Sequence, residues 1–449
     1  MFRLFDRTRR IVCRATFIGL CILPTVGITA WGVSRHLPGH TQSQSRWLTQ
    51  QIGLRVSCQE VEHLTPDRMR WAGLQLADPE TGQTLFACAS VDATVTGGPG
   101  DAVAVDLVVR QPRLDREGLR TLAALLDRTM RRQTAGRSID LTVRADEVQL
   151  DNAGELVRMT ACGGTLKSHP AGSQAQLQFQ LGNGPGAEPA HIELVRNRQT
   201  DPPSTAVKIY TGSGTLPCRL LAVGLPPLGQ LGPAAQFRGY LWAGETGRGW
   251  SGELSGQLTS LSMGHLIDDH FNHSLQAQAE VTVEAARFSH GRLEEAVGTL
   301  VTGPGTISRG LLEAAVTELK LVQSGEEQGV SGEGRGVRKA DEFIPFQQLG
   351  VAWRIGPEGL RLQGRCPVAG PGTIMFDRRR ALLGEPVAQP QPIAALIRTL
   401  VPATGEQVPA GDQTEWLLRR LPATRAADGA GAVGGMAFRG FPESDLGDR

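Results

Sequence analysis

Aromatic residues are scarce in this chain, at 5% of the sequence, so its interior has few large anchors to build around. An excess of either charge is missing too. The 46 Lys and Arg stand against 45 Asp and Glu, a formal net of +1. That balance removes the electrostatic case for a nucleic-acid partner. No Walker-type phosphate loop, HExxH or GxSxG occurs. Glycine-rich bits such as Gly303-Pro-Gly305 and Gly332-Glu-Gly334-Arg-Gly336 lack the strand–glycine–helix context of a dinucleotide site and read as turns. The chain is therefore expected not to be an enzyme, and to carry no cofactor and no metal.

Cysteine supplies no framework either. Of seven, Cys13 and Cys21 lie in or beside an apolar run, leaving Cys58, Cys88, Cys162, Cys218 and Cys366, odd in number and widely spaced. An oxidised scaffold would use an even set, and no pair has CxxC or zinc-type spacing. Free thiols acting as small apolar residues are the expectation.

What is present starts with Ala15–Val33, an apolar run behind a basic terminus. Ala15, Phe17, Ile18, Leu20, Ile22, Leu23, Val26, Ile28 and Val33 give it a greasy surface. It is long enough to cross a bilayer core as a helix. Arg3, Arg7, Arg9, Arg10 and Arg14 precede it against a single acid, Asp6; the next basic residues behind it are Arg35 and Arg46. This asymmetry predicts a single-pass anchor in the inner (cytoplasmic) membrane, with a cytoplasmic amino terminus and the bulk in the periplasm. A cleaved secretory signal is the alternative, but its apolar middle is normally shorter and ends in an A-x-A-like site. Here the best small pair, Ala30 and Gly32, flanks bulky Trp31. A lipoprotein is disfavoured because Leu20 precedes Cys21.

Gly 56 and Pro 27 favour many short strands, and 40% hydrophobic residues favour a thin, extended core. Patterning agrees. Odd residues from Leu85 to Val95 and Val103 to Val109 alternate with their neighbours, and Gly97-Gly98-Pro99-Gly100 forms a turn between them. Ala175, Leu177, Phe179 and Leu181 alternate with Gln174, Gln176, Gln178 and Gln180, so one side of this strand is wet. Leu275–Ala285 and Trp250–Leu258 repeat the pattern, which belongs to antiparallel meanders. Val143–Leu166 and Val283–Leu300 echo one another as hairpins ending in Gly-Thr-Leu.

Helices interrupt the series. Ser43–Ile52 reads as a juxtamembrane stem carrying Trp47, and Arg116–Gln133 as an amphipathic helix. Shorter ones are predicted at Cys218–Val223, Ser262–Phe271, Ser308–Leu321, Ile393–Val401 and Gln413–Leu421. On the second of these, His265, Asp269 and His273 would share a face at i, i+4 and i+8, beside Asp268 and His270. That spacing suits a divalent metal, but a solvated histidine face is the stronger expectation. Arg378-Arg379-Arg380 reads as a solvated turn.

The resulting division is a cytoplasmic terminus (1–14), an anchor (15–33), a stem (34–53), an elongated β-rich region (54–370), a proline-punctuated segment (371–423) and a Gly/Ala-rich disordered tail (424–449).

A basic terminus and membrane helix lead into Gly53-Leu-Arg55-Val56, then Trp71-Ala-Gly73-Leu-Gln-Leu76, then a long amphipathic β series. This layout resembles the AsmA-like proteins of double-membraned bacteria, relatives of TamB and the chorein-type lipid bridges. The resemblance implies a mainly β fold: an elongated, twisted antiparallel sheet folded into a gutter, apolar inside, with short helical inserts. It implies a non-enzymatic protein that binds or helps transfer phospholipid or another envelope lipid. Leu177, Phe179, Leu181, Leu275, Val281 and Val283 are then the candidate groove residues. Strands stack ~4.8 Å apart, so even ~20 of them reach only ~95 Å, too short to bridge two membranes unaided. The other expectation is an envelope assembly scaffold that packs on a protein partner through its sheet edges.

Overall fold

The computed structural model describes residues 6–34, 38–97, 103–131, 138–152, 155–181, 187–223, 225–246, 249–268, 271–323, 343–378, 380–401 and 421. The expected turn at 98–100, the glycine-rich stretch at 332–336, most of the Gln413–Leu421 helix and the tail 424–449 lie outside the described residues.

The amino terminus runs as one helix, basic at its start and free of charge from Ala15 onward: α1 (Asp6–Phe17), a π turn (Ile18–Ile22) and α2 (Leu23–Ser34). Arg10–Thr29 is long and apolar enough to cross a membrane, and none of it is buried against the rest of the chain. The π turn has a local cause. Pro24 cannot donate a backbone hydrogen bond, and its ring crowds the preceding turn; one wider turn just before it relieves both. The hydroxyls of Thr25 and Thr29 donate back to the carbonyls of Cys21 and Thr25, so both are satisfied inside the helix.

The stem helix α3 (Pro38–Ile52) begins earlier than its apolar spacing indicates. It packs on the first strands, with the Thr49 hydroxyl accepting from Val56 N–H at 3.0 Å and the His40 and His63 Nε2 atoms 2.9 Å apart.

Eight short strands follow: β1 (Arg55–Ser57), β2 (Glu60–Thr65), β3 (Arg68–Ala72), β4 (Gln75–Ala77), β5 (Thr84–Ala87), β6 (Ser90–Thr96), β7 (Val103–Arg110) and β8 (Arg113–Asp115). They form four longer strands, each broken once. The β1–β4–β5–β8 and β2–β3–β6–β7 pairings run side by side on the two sides of the break. Inward-facing apolar positions change parity across it, from buried Val61 to buried Val56 and from buried Val109 to half-buried Leu114. Gly73, Gln111 and, two strands further on, Ala161 have positive φ along this line. One extra residue per strand lets the sheet coil while apolar side chains stay on one side. Leu85–Val95 is therefore two strands with a step at Cys88-Ala89, which strict alternation conceals.

After β8, α4 (Arg116–Arg131) carries the chain back to the starting end, so β9 (Ile139–Asn152) pairs parallel to both β7 and β8. The expected all-antiparallel sheet is corrected to a mixed one at this junction. A helical crossover is what a parallel pair requires. Gly118 seats α4: a Cβ there would stand 1.9 Å from the Leu85 carbonyl oxygen. At the far end the Arg198 guanidinium donates to the carbonyls of Met130 and His169 and to the Ser173 hydroxyl.

From β9 an antiparallel meander continues through β10 (Glu155–His169), β11 (Gly172–Leu181), β12 (Ala190–Asn197), β13 (Ser204–Tyr210), β15 (Gln236–Thr246), β16 (Gly249–Ser262), β18 (Gln278–Ser289), β19 (Arg292–Thr302) and β23 (Gln348–Gly356). The short β14 (Leu216–Pro217) adds to β15. At the end, β24 (Gly359–Gly364) and β25 (Thr373–Asp377) both pair with β23, and β26 (Arg380–Pro386) joins β25 to β21 (Leu321–Gln323). Among the described residues these make a 23-stranded sheet; β17 (Leu275–Gln276), β20 (Gly305–Ser308) and β22 (Phe343–Phe346) form a separate three-stranded one. The two echoing hairpins are β9–β10 and β18–β19. Gly239 and Gly256 face each other across β15–β16 at positive φ, where a Cβ on either would meet backbone oxygen at 2.2 Å.

The inserts fill one side of the later strands. Helices α5 (Cys218–Leu221), α6 (Met263–Ile267), α7 (Arg309–Glu318) and α8 (Ile393–Leu400), with a 3-10 turn at Pro226–Leu231, are shorter than or close to their predicted spans. Phe179, Phe237, Leu261 and Met375 of the sheet close on Leu311 and Leu312 of α7 and Ala395 of α8 in the largest core. Each of the Phe, Leu and Met side chains contributes roughly 2 kcal/mol by leaving water. Cys88, Cys218 and Cys366 are buried and all seven cysteines are free.

Candidate functional site

Cross-strand partners share a face, so the register decides which side chains lie together. One row runs Ala93, Leu107, Val143, Gly164, Leu177, Ile192, Ile209, Leu241 and Leu254, and continues through Ala286, Ala296 and Ile355. A second, two residues along each strand, runs Val95, Val105, Leu141, Leu166, Ala175, Leu194, Val207 and Ala243. No polar side chain interrupts either. The opposite face carries the four glutamines of β11, where Gln174 donates to Glu193 at 2.7 Å and Lys208 pairs with the same carboxylate.

This apolar face is covered unevenly. Toward β15–β19 the inserts bury it, and Ile209 and Leu241 are inside the core. Nearer α4 it is partly open. Leu177 is 42% exposed, and Leu107, Val143, Ile192, Leu194 and Val207 around it are half-buried.

The six candidate groove residues separate accordingly. Leu177, Phe179 and Leu181 share one side of β11, but Phe179 is only 2% exposed in the core and Leu181 packs against it. Val283 is buried with Ala286 and Ala296, and Val281 packs beside them. Leu275 belongs to β17 in the small sheet, because the run Leu275–Ala285 divides at Ala277. Only Leu177 therefore lies on the open stretch. Half-buried Leu107, Val143, Ile192, Leu194 and Val207 border it, Ile192 and Val207 also packing on the largest core and Leu107 and Val143 on the cluster around Val91 and Val109; the signal for them is the register, which alternation within one strand does not give.

A polar pocket of about 540 Å³ lies among Ser262, Gly264, His265, Asp268, Gln276 and Pro304. His265 Nδ1 is 3.0 Å from the Ser262 hydroxyl. Asp268 does not orient this pair, since its oxygens accept from Ser274 Oγ and Leu275 N–H. The metal geometry considered for this region fails on helix length: α6 ends at Ile267, so His265 and His273 do not share a helical face. Asp269 and His270 lie outside the described residues. His273 sits against Gly310 of α7, where burial pushes its pKa below the ordinary histidine value. Among the described residues no three His, Cys, Asp or Glu side chains are grouped as metal ligands. Arg378 occupies the turn between β25 and β26 at positive φ.

No family model matches the chain, and no curated protein matches it.

Proposed function

We propose that this chain is a non-enzymatic, membrane-anchored protein of the cell envelope that holds lipid acyl chains on the apolar face of its sheet. The observation that carries this is the partly open stretch of the uninterrupted apolar rows. From β7 to β13 it crosses five strand spacings, about 24 Å, longer than the ~15 Å hydrocarbon depth of one leaflet. Each methylene laid on it from water would contribute about 0.8 kcal/mol. The likeness of layout to AsmA-like proteins supports the same function, with the sheet on the periplasmic side and α1–α2 in the inner membrane. The inserts covering the later strands favour a local carrier or chaperone of lipid over a continuous conduit.

Neighbouring positions test this directly. A photo-crosslinking amino acid at Leu177 should capture lipid in living cells, and one at Gln178, on the polar face, should not. Equal capture at both, or none at Leu177, would remove the proposal.

A further inference from the structure

The polar face of the first strands holds a second feature. Asp92 of β6 is 2% exposed beneath three arginines. Arg70, its direct cross-strand partner, takes it in a fork: Nε to Oδ1 at 2.5 Å and Nη2 to Oδ2 at 3.1 Å. Arg68 and Arg110 flank that pair, their Nη2 atoms 3.6 and 3.7 Å from the same Oδ2. Those separations are ion-pair distances, beyond a hydrogen bond. Arg68 is 46% and Arg110 59% exposed, and neither spends a donor on a hydrogen bond among the described residues. Glu62 lies against Arg70 at 3.7 Å, and Asp67, next to Arg68 in the chain, interacts electrostatically with it. Arg70 is thus the guanidinium most fully engaged, with both Asp92 and Glu62, whereas Arg68 and Arg110 keep their hydrogen-bond donors.

We propose that Arg68 and Arg110 bind a phosphate group on the polar face of the sheet. Both Nη2 atoms lie within 3.7 Å of one oxygen, so their mutual separation is at most twice that, a span that a phosphate bridges with two of its oxygens. Arginine presents planar donors suited to this contact. Asp92 fixes the arginines in place without using their hydrogen-bonding capacity, and Arg70 neutralises it. The phosphate is that of a lipid headgroup or a free phosphate ion. The site lies on the face opposite the acyl-chain rows and does not depend on them.

The test uses the full chain in phosphate-free maltoside micelles, titrated calorimetrically with inorganic phosphate and with dihexanoyl-phosphatidylglycerol. The wild type should bind at least one. Arg68→Gln/Arg110→Gln should weaken that binding about tenfold or more, as loss of charge-assisted hydrogen bonds requires. Tighter binding of the phosphatidylglycerol assigns the headgroup; tighter binding of inorganic phosphate assigns the free ion. If the double variant loses its β circular dichroism, Arg110→Gln alone, at the more exposed arginine, serves in its place. Unchanged affinity in the folded variant, or no binding of either probe by the wild type, overturns the proposal.

Discussion

Asp92→Asn replaces a buried carboxylate with an isosteric amide beneath three guanidinium groups. The wild-type side chain accepts two charge-assisted hydrogen bonds from Arg70 and sits within 3.7 Å of Arg68 and Arg110. Such bonds contribute about 1.5–3 kcal/mol each when shielded; all three arginine arms are partly exposed, so solvent screening reduces the sum. A loss of about 2–3 kcal/mol results. Urea unfolding of both proteins in micelles, followed by circular dichroism, measures it. The pH dependence makes the test specific. The Arg70 hydrogen bonds hold the Asp92 pKa below the ordinary carboxylate value. Its stabilisation is therefore complete above the unfolded value of about 3.9 and is lost as pH falls through the lower folded value. The gap between wild type and Asp92→Asn should be full at pH 7 and close in acid below pH ~4. A gap under about 0.5 kcal/mol at pH 7, or one that persists unchanged into strong acid, refutes the reasoning.

Other consequences follow from packing. Gly118→Ala places a methyl against the Leu85 carbonyl. It should cost about 2 kcal/mol or more and raise hydrogen exchange through α4. Phe237→Ala should destabilise by about 3–5 kcal/mol, whereas Leu177→Ala, at the open stretch, should cost under about 1 kcal/mol; chemical denaturation of the pair checks the contrast. Burial pushes the Cys218 thiol up to about 12 and the Cys88 and Cys162 thiols up to about 11. All three should resist iodoacetamide at pH 8 in the native protein and react on unfolding, as mass mapping would show.

Much of this architecture is legible from residue order. The apolar amino-terminal helix, the amphipathic α4 and the one-sided strand β11 each follow from a period that one element displays by itself. The π turn follows from Pro24 only when hydrogen bonds are traced. The parity change at Cys88-Ala89 defeats a simple alternation rule, because an added residue moves every later side chain to the other face. The split between Leu275 and Val281 is concealed for a related reason: a two-residue strand in one sheet leads directly into a long strand of another. Which apolar residues stay open is less legible still. Phe179 and Leu177 are two positions apart on one face of β11, yet one is sealed in the largest core and the other is not. That difference is set by a core whose members come mostly from far along the chain.

Occupancy of the open apolar stretch decides whether the sheet holds lipid. Native mass spectrometry of the full chain, released gently from its membrane, would measure it. Bound acyl lipid should accompany the wild type at about one molecule per chain and be lost from Leu177→Asp, a change at an exposed position that leaves the fold intact. A wild type that carries no lipid, or a variant that keeps it in equal amount, would contradict the account.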